Sequence, residues 1–428
     1  MATATALFSS LTSRLNVVHF QCLAAFVPVL YICYVRSQRW KRYHAVHEKY
    51  RTRYEKRTLT PEEAQAIVQA SSFYDMPMLL NYSLAFALFK TYGIPSISKI
   101  LAGTKELRST ELVSKRCADT EILISTWVAC PISGFLGLPA SERNKKRSEL
   151  GGEAPDPRAM IALARVNWLH ARYKITNDDY LYTLCLFAFE PPTWAARYGW
   201  RALSDMECYA YFIFWKEIGR RMGIQDIPDT MEEMKAWSIA YEKEHMVPAQ
   251  SNKDVAGYTT EELLHVLPEA FGIKQFARDI TVCLLEDRVR IAMMQPAQPW
   301  YMHFIINSAF YSLAFVQRWL CLPRRNMKSI VDMTEAPGGP CPWMHPTRWQ
   351  VKPWYKPEST GLGYWKDWLL VKVGVHTEMP GPHLKSGGYR LEEMGPSNAE
   401  DQGYEEIMKM AEKLQGCPVT GPWVGRRE

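Results

Sequence analysis

The chain lacks the short signatures on which many enzyme classes depend. None of its ten cysteines stands in a C-x-x-C pair. That excludes covalent c-type haem attachment through C-x-x-C-H. Most of the cysteines sit in apolar helical stretches, so they read as reduced, buried thiols and not as a disulfide framework. There is no G-x-S-x-G, no H-E-x-x-H and no P-loop, which argues against the common hydrolase, zincin and nucleotide-binding classes. The net charge of +6 is mild, and the basic residues are not interleaved with aromatics as a groove-binding stripe requires. Nucleic acid is therefore not an expected partner. No internal repeat is present.

What the chain does have is helical signal. Its 428 residues are 47% hydrophobic, enough for one large core. Thr60-Pro61-Glu62-Glu63 is a helix start with N-cap, N1 proline and N3 glutamate. Met76–Phe89 is apolar nearly all round, so it is expected to be buried or to line an apolar cavity. The pattern over Ser114–Val128 predicts a helix that places Arg116 and Thr120 on one face, four residues apart. Asp156-Pro157 opens another, whose Met160, Leu163, Val166, Asn167, His170 and Tyr173 share a face.

A helix capped at Thr176 is expected to stop before Pro191-Pro192. One capped at Ser204 runs to Gly223. Thr230–Glu233 and Thr259–Glu262 predict two further starts, the second carrying His265. Ala277–Met293 reads as one helix, with Arg278, Arg288 and Arg290 as possible contacts for a bound carboxylate. The expected fold is all-α: a large helical domain over 60–325, then an irregular Pro/Gly-rich extension, 326–428, packed on it. Gly361-Leu362-Gly363 reads as tail punctuation, and a short helix is expected from Glu405 to Leu414.

Leu15–Val35 is the first long apolar stretch, and as a helix it would span ~31 Å, enough for a bilayer core. A signal peptide would need a small-x-small cleavage site, which is missing. Arg36, Arg39, Lys41 and Arg42 follow at once, so the positive-inside rule puts residues 1–14 in the lumen and the domain in the cytosol. Residues 36–59 are expected as a basic juxtamembrane linker contacting membrane lipids, with His44 and His47 solvated. Trp300–Leu322 reads as an interfacial helix, or a core helix facing the bilayer, in preference to a second span. Arg143, Lys145, Lys146 and Arg147 form a solvated run in a loop.

His170 lies late in an apolar helical pattern. On residues alone, a core histidine bonded to a backbone carbonyl is a more common occurrence than a metal ligand. The surrounding motifs change that balance. Asn167-Trp168-Leu169-His170-Ala171-Arg172-Tyr173, Asn177-Asp178-Asp179-Tyr180-Leu181-Tyr182-Thr183-Leu184, Glu190-Pro191, Trp200-Arg201 and Phe214-Trp215-Lys216-Glu217-Ile218-Gly219 together resemble the fungal ER-bound oxygenases of mycophenolic acid biosynthesis, the MpaB family. That family is similar in turn to the bacterial latex-clearing rubber oxygenases.

The resemblance implies a helical fold around haem b, with His170 as the iron ligand. It implies Arg116 and Thr120 as distal residues that orient or polarise dioxygen, Arg116 doubling as a propionate clamp. The implied reaction is oxidative cleavage of a C=C bond in a lipophilic, prenyl-type chain at the endoplasmic reticulum membrane, in fungal secondary metabolism. The alternatives are a haem-dependent hydroxylase or dehydrogenase on a similar substrate, and a non-catalytic membrane-anchored helical protein with His170 as a satisfied core residue.

Two departures stand out. A basic insertion, Ser141–Gly152, lengthens the gap from Thr120 to His170. Asp119 stands where latex-clearing enzymes carry a lysine. A cytochrome P450 is disfavoured, although Glu217-Ile218-Gly219-Arg220 gives an E-x-x-R, because Cys417 lacks the flanking residues of a thiolate ligand.

Overall fold

The computed structural model describes residues 26–104, 106–107, 110–132, 156–264, 267, 272–332 and 343–424. Among these there is no β-strand, and the one pairing of extended backbone is an isolated bridge between Met344 and Tyr389. The helices are α1 (26–39), α2 (Lys41–Glu55), α3 (Pro61–Gln69), α4 (Pro77–Thr91), α5 (Pro95–Gly103) and α6 (Thr110–Ala129). They continue as α7 (Arg158–His170), α8 (Asn177–Tyr198), α9 (Asp205–Met222), α10 (Met231–His245) and α11 (Gln250–Leu263). The last are α12 (Ile273–Cys283), α13 (Asp287–Ala292), α14 (Trp300–Trp319), α15 (Leu362–Lys372) and α16 (Tyr404–Gln415). A π-helical turn, Ala70–Asp75, links α3 to α4.

Local chemistry sets most of the boundaries. Thr60, Ser204 and Thr230 close full capping boxes with Glu63, Glu207 and Glu233, satisfying amides that no helical carbonyl can reach. Gly223 ends α9 at φ +80°, a left-handed cap that glycine adopts without strain. Thr176 accepts from the Asp179 amide, but the Asp179 carboxylate takes the Ser96 and Tyr241 hydroxyls instead of closing the box.

Several expectations need correction. α8 does not stop at Glu190: it continues through Pro191 and Pro192 to Tyr198. Each interior proline typically costs about 3 kcal/mol, so tertiary packing must outweigh the loss. Lys90 holds Glu190 at 3.2 Å, and the Trp194 ring lies 5.0 Å from Phe86 of α4. Thr259 and Thr260 do not cap a helix. They lie late in α11, and their hydroxyls donate back to the Val255 and Ala256 carbonyls, the alternative open to any mid-helix threonine. His265 lies outside the described residues.

Ala277–Met293 is two helices, broken between Cys283 and Asp287, and the break carries Glu286 to Lys90 at 3.3 Å. Arg278 pairs with Glu261, Arg290 pairs with Asp287, and Arg288 is exposed. α15 starts at the Gly361-Leu362-Gly363 run that read as punctuation. The basic linker is largely the helix α2, in which Tyr50 is buried and His47 bonds Ser204 at 2.7 Å. His47 is therefore not solvated.

No helix among the described residues is long and apolar enough to cross a membrane. That includes α14, which is not a second span. Of the expected anchor, residues 15–25 lie outside the described residues, and 26–35 begin α1. The basic run over 141–152 also lies outside them.

The main core is one large cluster that takes in α7, whose residues Ala159 to Ala164 are all buried, and a small one forms around Leu107, Val113 and Val255. α6 and α16 pack on α7, α9 lies against α3 and α8, and α4 runs along α8. The C-terminal extension wraps α6 and α7. The Arg165 guanidinium, itself buried, donates to the carbonyls of Met394, Ala399 and Gln402 at 2.6, 2.9 and 3.1 Å.

Candidate active site around His170

α7 is positioned to present its last residue. At its start, Asp156 accepts the Arg158 amide and grips that residue's guanidinium. Along its length, Asn167 donates to the Arg221 carbonyl at the end of α9. Trp168 lies between the Arg165 and Arg172 guanidinium groups and donates to Glu406 of α16. The motif residues around His170 thus serve to fix the helix end. Arg172 and Tyr173 sit beyond it, exposed.

His170 Nδ1 is sealed from solvent and has no hydrogen-bond partner. A core histidine satisfied by a carbonyl would have one there. A buried polar atom without a partner costs roughly 1–3 kcal/mol; His170 Nδ1 is one of several such atoms among the described residues, with Trp127 Nε1 and Trp215 Nε1. Burial, and secondarily the Arg116 charge, lower the imidazole pKa to about 4. The ring is therefore neutral at physiological pH, the form that offers a lone pair to a metal.

The same effect shows that α6 brings Arg116 into electrostatic range of His170. Thr120 follows one turn on along α6, half-buried on the Arg116 side. The Tyr180 ring stands 5.7 Å from the His170 ring, tilted by 45°. Sequence reasoning missed Tyr180. It is the third residue after the Asn177 start of α8, and nothing in its spacing marks it.

Asp119 does not join this group. Its carboxylate takes the Lys115 ammonium at 2.8 Å, the Tyr355 hydroxyl at 2.5 Å and the Gly395 amide at 3.2 Å. It faces the C-terminal extension and serves to hold the tail. Glu121 does likewise, accepting from Asn81, Arg348 and Gln350.

The donor set can be tested against haem, the group the resemblance implies. A neutral imidazole with a buried, unpartnered nitrogen fits an iron ligand, and a permanent cation nearby fits a ring bearing carboxylates. The residues present fit the group.

Comparison with known proteins gives the family and an oxygenase activity for the relatives. The family described as "ER-bound oxygenase mpaB/B'/Rubber oxygenase, catalytic domain" matches residues 152–309. The chain is 30% identical to the ER-bound oxygenase mpaB' of Penicillium brevicompactum, covering 89% of each chain. It is 32% identical to the ER-bound oxygenase mpaB of Penicillium roqueforti, over 62% of this chain and 87% of that one. With mpaB of Penicillium brevicompactum it shares 30% identity over 85% of this chain and 86% of that one. The chain belongs to the mpaB/rubber oxygenase family.

The family segment spans α7 to α13 and part of α14, and so includes His170 and Tyr180. Arg116 and Thr120 lie upstream of it on α6. In this member of the mpaB/rubber oxygenase family, the helix that ends at His170 is also covered by a tail that lies outside that segment.

Proposed function

We propose that this mpaB-family chain is a haem b oxygenase of the endoplasmic reticulum membrane, cleaving a C=C bond in a prenyl-type chain with dioxygen. The observation that carries the reading is the sealed, partnerless Nδ1 of His170 beside the Arg116 charge. Residues 15–35 would hold the domain to the membrane on its cytosolic side; the relatives' names support an association with the endoplasmic reticulum.

Haem, when bound, supplies the iron at which dioxygen is activated. His170 would hold that iron through its neutral imidazole, kept neutral by burial and by Arg116. Arg116 offers a fork of fixed charge, suited to a haem carboxylate or to a polar oxygen of the reacting pair. Thr120, one turn on, carries a hydroxyl that can donate towards the same region. Apolar α4 would help to exclude water from a greasy substrate.

The test is the absorption spectrum of detergent-purified protein supplied with haem, wild type beside His170→Ala. A Soret band lost or shifted in the variant supports the reading, and an unchanged band removes His170 as ligand. Carbonyl products from a prenylated substrate support cleavage, whereas an alcohol of intact chain length would identify a hydroxylase.

A further inference from the structure

α14 is amphipathic in an unusual sense: its outer side is apolar. Within the helix only Met302 is buried. Phe310 packs inward on Tyr198 at 4.4 Å. Outward, Phe304, Tyr311 and Phe315 stand 66%, 56% and 59% exposed, spaced so that they form one stripe. Large exposed apolar stripes mark interaction sites.

The end of α14 and the residues just after it are fastened to α1 and to the start of α2. The Tyr31 hydroxyl donates to the Leu320 carbonyl at 2.8 Å, and Arg42 reaches the Arg324 carbonyl at 3.2 Å. Arg36 lies 5.2 Å from the centre of the Trp319 ring, and Arg318 lies 5.6 Å from it. Phe26 and Leu30 of α1 are exposed beside this junction, as are Arg36, Arg318 and Arg325. The charge here is all of one sign. Residues 1–47 and 288–331 contain no aspartate or glutamate.

We propose that the outer face of α14, beside α1, is a second membrane contact that lies in the interface of an anionic bilayer. Its aromatic side chains sit at the acyl boundary, and Arg36, Arg318 and Arg325 meet the lipid phosphates. This rests on the membrane reading above and adds the surface that makes the contact. The chemistry favours lipid over a second copy of the chain. A self-complementary interface on this face would bring like charges together, whereas aromatic side chains backed by arginines suit an anionic headgroup layer.

The test uses full-length protein with p-benzoylphenylalanine in place of Phe315, or of Phe304, reconstituted in phosphatidylcholine vesicles with and without phosphatidylserine. The control position is Ile239 on α10, which is apolar and 56% exposed. After irradiation and vesicle flotation, intact-protein mass is read. A mass gain of one phospholipid at 315 and 304 but not at 239, stronger with phosphatidylserine, supports the proposal. Protein that floats with the vesicles yet gains no lipid at either position overturns it and leaves the membrane reading intact. Protein that does not float overturns both. A doubled protein mass assigns the face to a second copy and overturns the lipid assignment.

Discussion

The Tyr355 hydroxyl donates to Asp119 Oδ1 over 2.5 Å, across 236 residues of chain. That bond, with Lys115 and the Gly395 amide, commits Asp119 to holding the tail. Tyr355→Phe should lower stability by about 1–2 kcal/mol, and Asp119→Ala by about 2–3, since the latter also deprives buried Lys115 of one of two carboxylates. Denaturant titration measures both. The haem-reconstituted spectrum should be the same in wild type and Tyr355→Phe. A shifted Soret band would instead place Asp119 at the iron.

Gly403 sits at φ +77°, where a Cβ would come within 2.1 Å of the Trp168 ring. Gly403→Ala is expected to cost about 2–3 kcal/mol through left-handed strain and overpacking. Gly257, inside α11, has open space around the same position. Gly257→Ala should stabilise by about 0.5–1 kcal/mol. Thermal melts of the two variants should move in opposite directions, and a neutral Gly403→Ala would mean that the tail does not press on Trp168.

Lys90 lies among three carboxylates: Glu190 at 3.2 Å, Glu242 at 3.0 Å and Glu286 at 3.3 Å. Lys90→Met should destabilise by about 3–5 kcal/mol, because buried carboxylates lose their counter-charge. Adding Glu190→Gln and Glu242→Gln should recover much of that loss. If the triple variant is no more stable than the single one, the cluster's value lies in packing and not in charge.

Glu261 joins α11 to α12. Hydrogen bonds from Arg278, then from Lys274, hold its pKa at about 2 against 4.5 for the free group. The folded state therefore favours the ionised carboxylate. Its stabilisation is complete above pH 4.5 and is lost as pH falls from 4.5 towards 2. The carboxylate is 36% exposed, so solvent screening keeps the contribution under about 1 kcal/mol. Glu261→Gln should be slightly less stable than wild type at pH 7, and the gap should close on acidification. A gap that stays constant with pH would remove the ion pair as its cause.

The parts of the fold legible in the sequence are those decided within a few residues. Thr60, Ser204 and Thr230 announce helix starts because a hydroxyl and a glutamate three residues on are enough to close the box. The run Pro191-Pro192 misleads because its cost is outweighed by Lys90 and Phe86, which are remote in sequence. Thr259-Thr260 misleads because the same hydroxyls can bond a preceding turn. At the site, the spacing of Arg116 and Thr120 is visible in the chain, and the motif around His170 is visible by resemblance. The missing partner at Nδ1 and the neighbouring Tyr180 ring are not, since both depend on how α7 and α8 meet.

The hydrogen bonds that Arg165 is seen to make to the tail go to three backbone carbonyls, while Glu400 and Glu392 act on it through charge alone. What it recognises is therefore a path, not a sequence. Along this stretch most substitutions that keep the path would leave those contacts untouched, while those that bend it, at Gly395 or Gly403, would be felt at once on α7. The last quarter of the chain can thus drift in composition and still act as the splint of α7. A fragment cut at the apparent end of the helical domain would lose the splint and leave a buried guanidinium without its acceptors.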